Sequence, residues 1–342
     1  MKNRVQDSVF FWNIAAEFLN NYLPDVRRAS GNTVESYRNC LNRYIDYLEL
    51  EKGTKRKNIS FSLLDRENIK AYMAWMHKTA QLAPKTCNLR LTALQSLLEY
   101  ASQECTDITP ICVNSGTIRG VRLTQAPIEF LEREAISALM SAPDTRKKLD
   151  RRNQMLLIFL YDTAARVSEA LNVRLCDLHM DASIPHVTFL GKGRKYRNVP
   201  LMKSTLEHLM HYLKEFHGST SESVGTPLFY AVTHGKIHRL SVDTPEKMIK
   251  KYAKKLSDTC PSMPDNVHCH MIRKTRAMNL YQEGVSLPHI QQFLGHKVLS
   301  TTSGFYAFAT METLSRSLEK ANPSDMSKLW KDKELSEKLY RL

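Results

Sequence analysis

Apolar side chains recur at helical spacing through the first hundred residues. Phe10, Phe11, Ile14, Ala15 and Phe18 form one such run, and Leu91, Leu94, Leu97 and Leu98 another. Between them Asn32 and Thr33 precede a helix carrying Tyr37, Leu41, Tyr44, Ile45 and Leu48, with Gly53 as its stop signal. The basic run Lys55, Arg56, Lys57 reads either as a solvated loop or as a contact to a phosphate. Residues 1–105 are therefore expected to form a helical domain. Over 106–128 the periodicity lapses, and Pro110, Gly116, Gly120 and Pro127 mark an inter-domain linker. Helical patterns resume at 132–141 and 152–163. An apolar stretch from His186 to Leu190, a turn at 191–193 and a run from Tyr196 to Leu201 predict two paired strands. Helices follow at 204–216 and 244–256 and over most of the chain to 321. The expected fold is mainly α, with a small antiparallel β-sheet in a C-terminal domain spanning 129–322. Beyond it, Ser324 and Asp325 can cap a tail helix over 323–342, with Met326, Leu329, Trp330, Leu335 and Leu339 roughly along one side. Such a helix either packs on its own domain or docks on a neighbouring subunit. No internal repeat or low-complexity segment is visible.

A length of 342 residues, 42% of them hydrophobic, suits two domains with separate cores. The formal net charge of +14 points to a polyanionic partner, which charge alone leaves open between nucleic acid and an anionic membrane surface. The longest apolar run, Met155–Tyr161, falls well short of the ~18 residues that span a bilayer. Asn13, Glu17, Asn20 and Asn21 interrupt the first apolar segment, which excludes a secretory signal there. The seven cysteines show no CxxC spacing, and an odd number argues against a closed disulfide framework. These features predict a soluble, cytoplasmic protein without a membrane partner.

The candidate chemistry is an ordered set of cationic residues followed by a phenol: Arg166, Lys192 on a Gly-Lys-Gly turn, His270, Arg273, His296 and Tyr306. A tyrosine hydroxyl with a reference pKa of ~10 needs a base or local positive charge to act as a nucleophile. Phosphoryl transfer in turn needs positioning and charge stabilisation on the equatorial oxygens, which paired arginine forks supply. A lysine or histidine can protonate the poor leaving oxygen. Each residue also has a plainer explanation. Arg166 could simply pair with Glu169 one turn along, His270 and Arg273 share a helical face by spacing alone, and Tyr306 could be core. Those explanations must all hold together to dismiss the ordered set. No comparable Asp/Glu set could hold two catalytic cations. In His268-Cys269-His270 adjacent side chains diverge, and no second ligand pair has zinc spacing. No metal or other cofactor is expected.

The text from Tyr161 to Ala170, the stretch Leu190–Leu201, His270-Met271-Ile272-Arg273, Leu294-Gly295-His296, Thr301-Thr302 and Tyr306–Ala309 resembles the tyrosine recombinases, the phage integrase family, over residues ~129–321. Thr33–Tyr37 and the Leu89–Tyr100 helix are similar, less specifically, to that family's SAM-like core-binding domain. The resemblance implies a two-domain clamp on double-stranded DNA bearing specific recombination sites. It also implies that Arg166 and Arg273 hold the scissile phosphate, that Lys192 is general acid to the 5′ oxygen, and that His270 handles the tyrosine proton. His296 then hydrogen-bonds a non-bridging oxygen, Tyr306 forms a 3′-phosphotyrosine, and Glu169 supports the site. Four subunits would carry out two strand exchanges without metal or ATP, with an accessory DNA-bending protein as an option. Two departures stand out. Lys274 follows the second arginine where the family usually has histidine. Phe305 also occupies the position nine after His296 where the nucleophile commonly falls, with Tyr306 one later. Gly304 can absorb the extra residue in a loop or bulge. A type IB topoisomerase and a DNA-binding relic that no longer cleaves are the alternatives.

Overall fold

The computed structural model describes residues 4–123, 129–191, 195–218 and 225–295. Lys192, His296, Phe305 and Tyr306 lie outside them, as does the expected tail helix at 323–342. The chain divides into two compact units, Met1–Ala126 and Pro127–Leu342. Among the described residues no helix is long and apolar enough to cross a membrane.

The first unit is helical. Helix α1 (Ser8–Glu17) starts where the Asp7 carboxylate accepts the N–H groups of Val9 and Phe10 at 3.0 and 3.3 Å. It runs on into a widened π-helical segment, Phe18–Val26, which contains Pro24. Helix α2 (Gly31–Leu50) begins at Ser30, whose hydroxyl accepts the Thr33 N–H, two or three residues before the polar pair that marked its start in the sequence. Helices α3 (Arg66–Lys78) and α4 (Pro84–Glu104) complete the bundle. Its core is aromatic: Phe11, Phe18, Tyr44, Tyr47, Phe61 and Tyr72 are buried together. Arg56 binds Glu49 and Asp46 at 2.7 and 2.9 Å, so this member of the basic run is engaged in surface ion pairs.

Part of the stretch expected to be linker is helix. Helix α5 (Thr109–Gly116) carries Pro110 in its first turn and ends on a glycine. Both residues punctuate a helix at those positions as readily as they break one. The fully buried Ser115 hydroxyl donates to the Leu64 carbonyl, and Asn88 exchanges two hydrogen bonds with the Val121 backbone. These bonds tie the chain to the first unit as far as Val121.

In the second unit, helices α6 (Arg133–Ser141) and α7 (Lys148–Thr163) precede the short α8 (Val167–Asn172). Strands β1 (Leu178–His179), β2 (His186–Gly191) and β3 (Lys195–Pro200) form an antiparallel sheet in that order. Val187 and Phe189 of β2 and Val199 of β3 face the core, where Phe159 and Phe229 meet them. Period-two alternation places Arg197 on the same inward face as Val199. Helix α9 (Lys203–His217) leads to a hairpin that the sequence pattern did not suggest, β4 (Tyr230–Thr233) and β5 (Lys236–Arg239). Its turn is built on His234 and Gly235, both at positive φ as a tight hairpin requires. Helices α10 (Asp243–Leu256), α11 (Cys269–Gln282) and α12 (Leu287–Leu294) follow.

Candidate active site

Two left-handed residues, Ala164 after α7 and Gly295 after α12, turn the chain beside the arginines. Helix α7 ends on Ala164, which is fully buried and left-handed at φ 46°, ψ 31°. For a residue with a Cβ this costs on the order of 1–2 kcal/mol. Two residues on, Arg166 is extended and caps α8. Its backbone N–H donates to the Glu169 carboxylate at 2.9 Å, an arrangement that returns the helix's third residue to its own start. The Arg166 guanidinium donates to the other Glu169 oxygen at 2.7 Å. The plain expectation of a salt bridge therefore holds for this pair.

His270 and Arg273 are the second and fifth residues of α11, one turn apart on the same face. The start of that helix is held from two sides. His268 Nδ1 accepts the Met271 N–H at 3.2 Å, and the Glu246 carboxylate of α10 accepts the Cys269 N–H at 3.3 Å. Burial first, and then Glu246, raise the Cys269 thiol pKa, so this cysteine is an inert part of the packing.

Arg273 is only 3% exposed. It donates to the carbonyls of Ala164 and Leu294, each at 2.6 Å, so it bridges the C-terminal ends of α7 and α12. Helix C-termini carry partial negative charge, which compensates part of the burial of this cation. Gly295 closes α12 at φ +65°, which favours glycine. A Cβ at that position would lie 2.9 Å from the Cδ of Arg197.

Glu169 is the shared counter-ion. Its buried carboxylate faces Arg166 at 2.7 Å, Arg197 at 2.9 Å and Arg273 at 4.0 Å. Burial alone pushes this carboxyl up, but hydrogen bonds and charge from Arg197 and then Arg166 outweigh it and hold the pKa at about 2. One carboxylate among three guanidinium groups leaves a positively charged centre. Arg273 registers this: burial, then Arg166 and Arg197, lower its pKa to about 9, which still leaves the guanidinium protonated at neutral pH. His270 lies in the same field. Burial, followed by the charges of Arg273, Lys274, His268 and Arg166, lowers its pKa to about 4. The ring is neutral at pH 7 and able to accept a proton.

The acid side of the stability profile should report the Glu169 carboxylate. A group lowered from 4.5 to about 2 contributes stability that is complete above 4.5 and is lost as the pH falls through about 2. In urea melts of wild type and Glu169→Gln, the gap in stability should narrow as the pH falls from about 5 towards 2. A constant gap would show that the carboxylate is not held as described.

Of the six residues expected from the sequence, Arg166, His270 and Arg273 lie close enough to act on one another electrostatically, and Glu169 pairs with the two arginines. Lys192, His296 and Tyr306 lie outside the described residues. The chain leads into residue 192 from Gly191, where a Cβ would lie 3.6 Å from a Glu169 carboxylate oxygen. The sequence reading gave no role to Arg197 or Glu246. For Arg197 the available signal was an arginine at an inward-facing position of β3.

The model of the phage integrase family matches residues 129–312, and that of the phage integrase N-terminal SAM-like domain matches residues 18–107. The chain is 30% identical over 298 residues to a putative integrase/recombinase, y4rC, of Sinorhizobium fredii, covering 87% of each chain. It is also 30% identical over 308 residues to the tyrosine recombinase XerC of Pelotomaculum thermopropionicum, covering 88% of this chain and 95% of that one. The fold is similar to that of a lambda integrase tetramer bound to a Holliday junction, at TM-score 0.64 and 16% identity over 86% of this chain and 76% of that one.

Proposed function

The chain belongs to the phage integrase family and is a tyrosine-type site-specific recombinase, and on that premise we propose that it cleaves and rejoins DNA through a 3′-phosphotyrosine. The observation that carries this reading is that Arg166 and Arg273 meet at the single carboxylate of Glu169, with the ring of His270 in the field of both arginines. A phosphodiester in that field has its developing negative charge met by two arginine forks already in place. Tyr306 Oη attacks phosphorus as His270 takes the phenol proton, and the bond to the 5′ oxygen breaks as Lys192 returns a proton to it. His296 hydrogen-bonds a non-bridging oxygen. The ester keeps the energy of the broken bond, so a 5′ hydroxyl from a second duplex can reverse the step without ATP or metal.

The assigned setting is the integration or excision of a mobile element, or the resolution of joined DNA, in the cytoplasm at the nucleoid. The partner is double-stranded DNA with paired sites, bound by a homotetramer, with an accessory DNA-bending protein as an optional component. The name of the lambda integrase complex, a tetramer on a Holliday junction, supports the assembly by analogy of fold. The core-binding domain is assigned to 1–105, the connection over 106–128 starts with α5 held to the first unit, the catalytic domain is assigned to 129–322 and the tail helix to 323–342. Phe305, nine residues after His296, keeps a second reading in view, that of a protein which binds its sites without cleaving them.

The test uses a nicked duplex carrying the recombination site found by binding selection, so that the 5′ fragment diffuses away after cleavage. Wild-type protein should become covalently attached, visible on a denaturing gel. Binding without any adduct would favour the non-cleaving reading. Relaxation of any supercoiled plasmid without paired sites would favour a topoisomerase.

A further inference from the structure

Arg197 is placed differently from the two arginines that the reaction uses. It stands on β3 with its side chain 12% exposed. Its guanidinium carbon lies 4.8 Å above the ring centre of Phe189, directly across the strand pair. One end of the fork donates to Glu169 Oε2 at 2.9 Å. The Nε is buried and makes no hydrogen bond among the described residues. The aliphatic stem fills the space beside Gly295 where any side chain would collide. An arginine held on three sides has little freedom to swing towards a ligand, and its rigidity passes to the carboxylate that it grips.

We infer that Arg197 is the positioning residue of the phosphate clamp, holding the Glu169 carboxylate in the orientation in which its other oxygen fixes Arg166. The geometry divides the labour between the two carboxylate oxygens. Oε1 takes the Arg166 guanidinium, while Oε2 takes the Arg166 backbone N–H, the Arg197 fork and, at 4.0 Å, Arg273. Without Arg197, Oε2 is drawn towards Arg273 and the carboxylate plane turns. The guanidinium of Arg166 then moves with Oε1. Arg197 therefore acts through Glu169, and it also packs the sheet against the turn that closes α12 ahead of residue 296. The inference rests on the reading that Arg166 and Arg273 hold the scissile phosphate.

A double-mutant cycle on single-turnover cleavage of the nicked duplex tests it. Arg197→Ala and Glu169→Gln should each slow cleavage by on the order of 10²-fold, the cost of misplacing a reacting group by about an ångström. The double variant should be no slower than Glu169→Gln within about threefold, because one residue acts through the other. Arg197→Lys keeps the charge but not the fork, and should recover about tenfold over alanine. The pH profile of stability gives a readout that simple loss of packing does not move. The groups facing Glu169 are Arg166 at the start of α8, Arg197 on β3 and Arg273 on α11. Removing one of these cations raises the carboxyl pKa, so the stability gap between Arg197→Ala and the double variant should close at higher pH than the gap between wild type and Glu169→Gln.

Thermal unfolding and DNA affinity, measured alongside, show whether each variant is folded. Should alanine fail to fold, the lysine variant is paired with Glu169→Gln in the same cycle. Losses that multiply to about 10⁴-fold in the double variant, or a stability gap that closes over the same pH range with and without Arg197, overturn the inference while wild type remains active. Wild type that forms no adduct on its site overturns instead the reading beneath it.

Discussion

Arg273→Ala is expected to slow DNA cleavage by at least about 10³-fold, or about 4 kcal/mol of transition-state stabilisation. Arg273 is the most deeply buried cation of the cluster, and it sits where two helix C-termini and one carboxylate offset only part of its charge. An incoming phosphate meets a guanidinium already desolvated and already oriented, so little reorganisation is needed as charge builds on the oxygens. Alanine removes that charge. It also leaves the carbonyls of Ala164 and Leu294 without the donor that joins them, at a cost of about 1–3 kcal/mol for each carbonyl left unsatisfied. Urea melts should show that loss, which makes Arg273→Lys the sharper kinetic variant. Lysine keeps the charge without spanning both carbonyls, and should fold better while still losing on the order of 10²-fold in cleavage. Single-turnover rates with DNA affinity measured in parallel decide the matter. A folded Arg273→Ala protein that cleaves within about tenfold of wild type has no need of this residue in the reaction.

The second large effect is expected at Tyr306. Tyr306→Phe removes one oxygen and should abolish the covalent adduct, with DNA affinity changed less than about threefold, since a nucleophile contributes bond formation rather than binding. A free phenol is ionised only about once in a thousand at pH 7, so a tyrosine nucleophile requires a base or fixed positive charge to act. Tyr281→Phe, which alters a tyrosine in the helix that carries Arg273, is the control and should still form the adduct. The comparison also settles the register problem. One residue turns a helix by about 100°, so Phe305 and Tyr306 cannot present the same direction without a compensating loop or bulge. Adduct surviving in Tyr306→Phe would mean that another group attacks phosphorus.

The elements were legible where periodicity was long and well bounded. The leucines of α4 and the valine and phenylalanine of β2 announced a helix and a strand because burial on one side of each selects their spacing. Punctuation was less reliable. Pro110 and Gly116 looked like breaks, yet they begin and end a helix that packs on its neighbours, because the same residues serve both purposes. The β4–β5 hairpin turns on His234 and Gly235, a pair that carries a weaker turn signal than Asn-Gly or Asp-Gly.

By itself the sequence determined the chemical inventory and its order along the chain, because which guanidinium, imidazole and phenol groups are present depends on residue identity alone, while their reactivity depends on their surroundings. It also set the near-neighbour pairs, Arg166 with Glu169 and His270 with Arg273, since one helical turn decides which residues share a face. Only the tertiary structure decided that one carboxylate serves three arginines drawn from α8, β3 and α11, and that Arg273 spans the ends of two helices. Residues 28 to 107 positions apart meet in that cluster. No local preference encodes such meetings; they follow from how the apolar faces of the second unit close on one another and leave the charged groups a single place to gather.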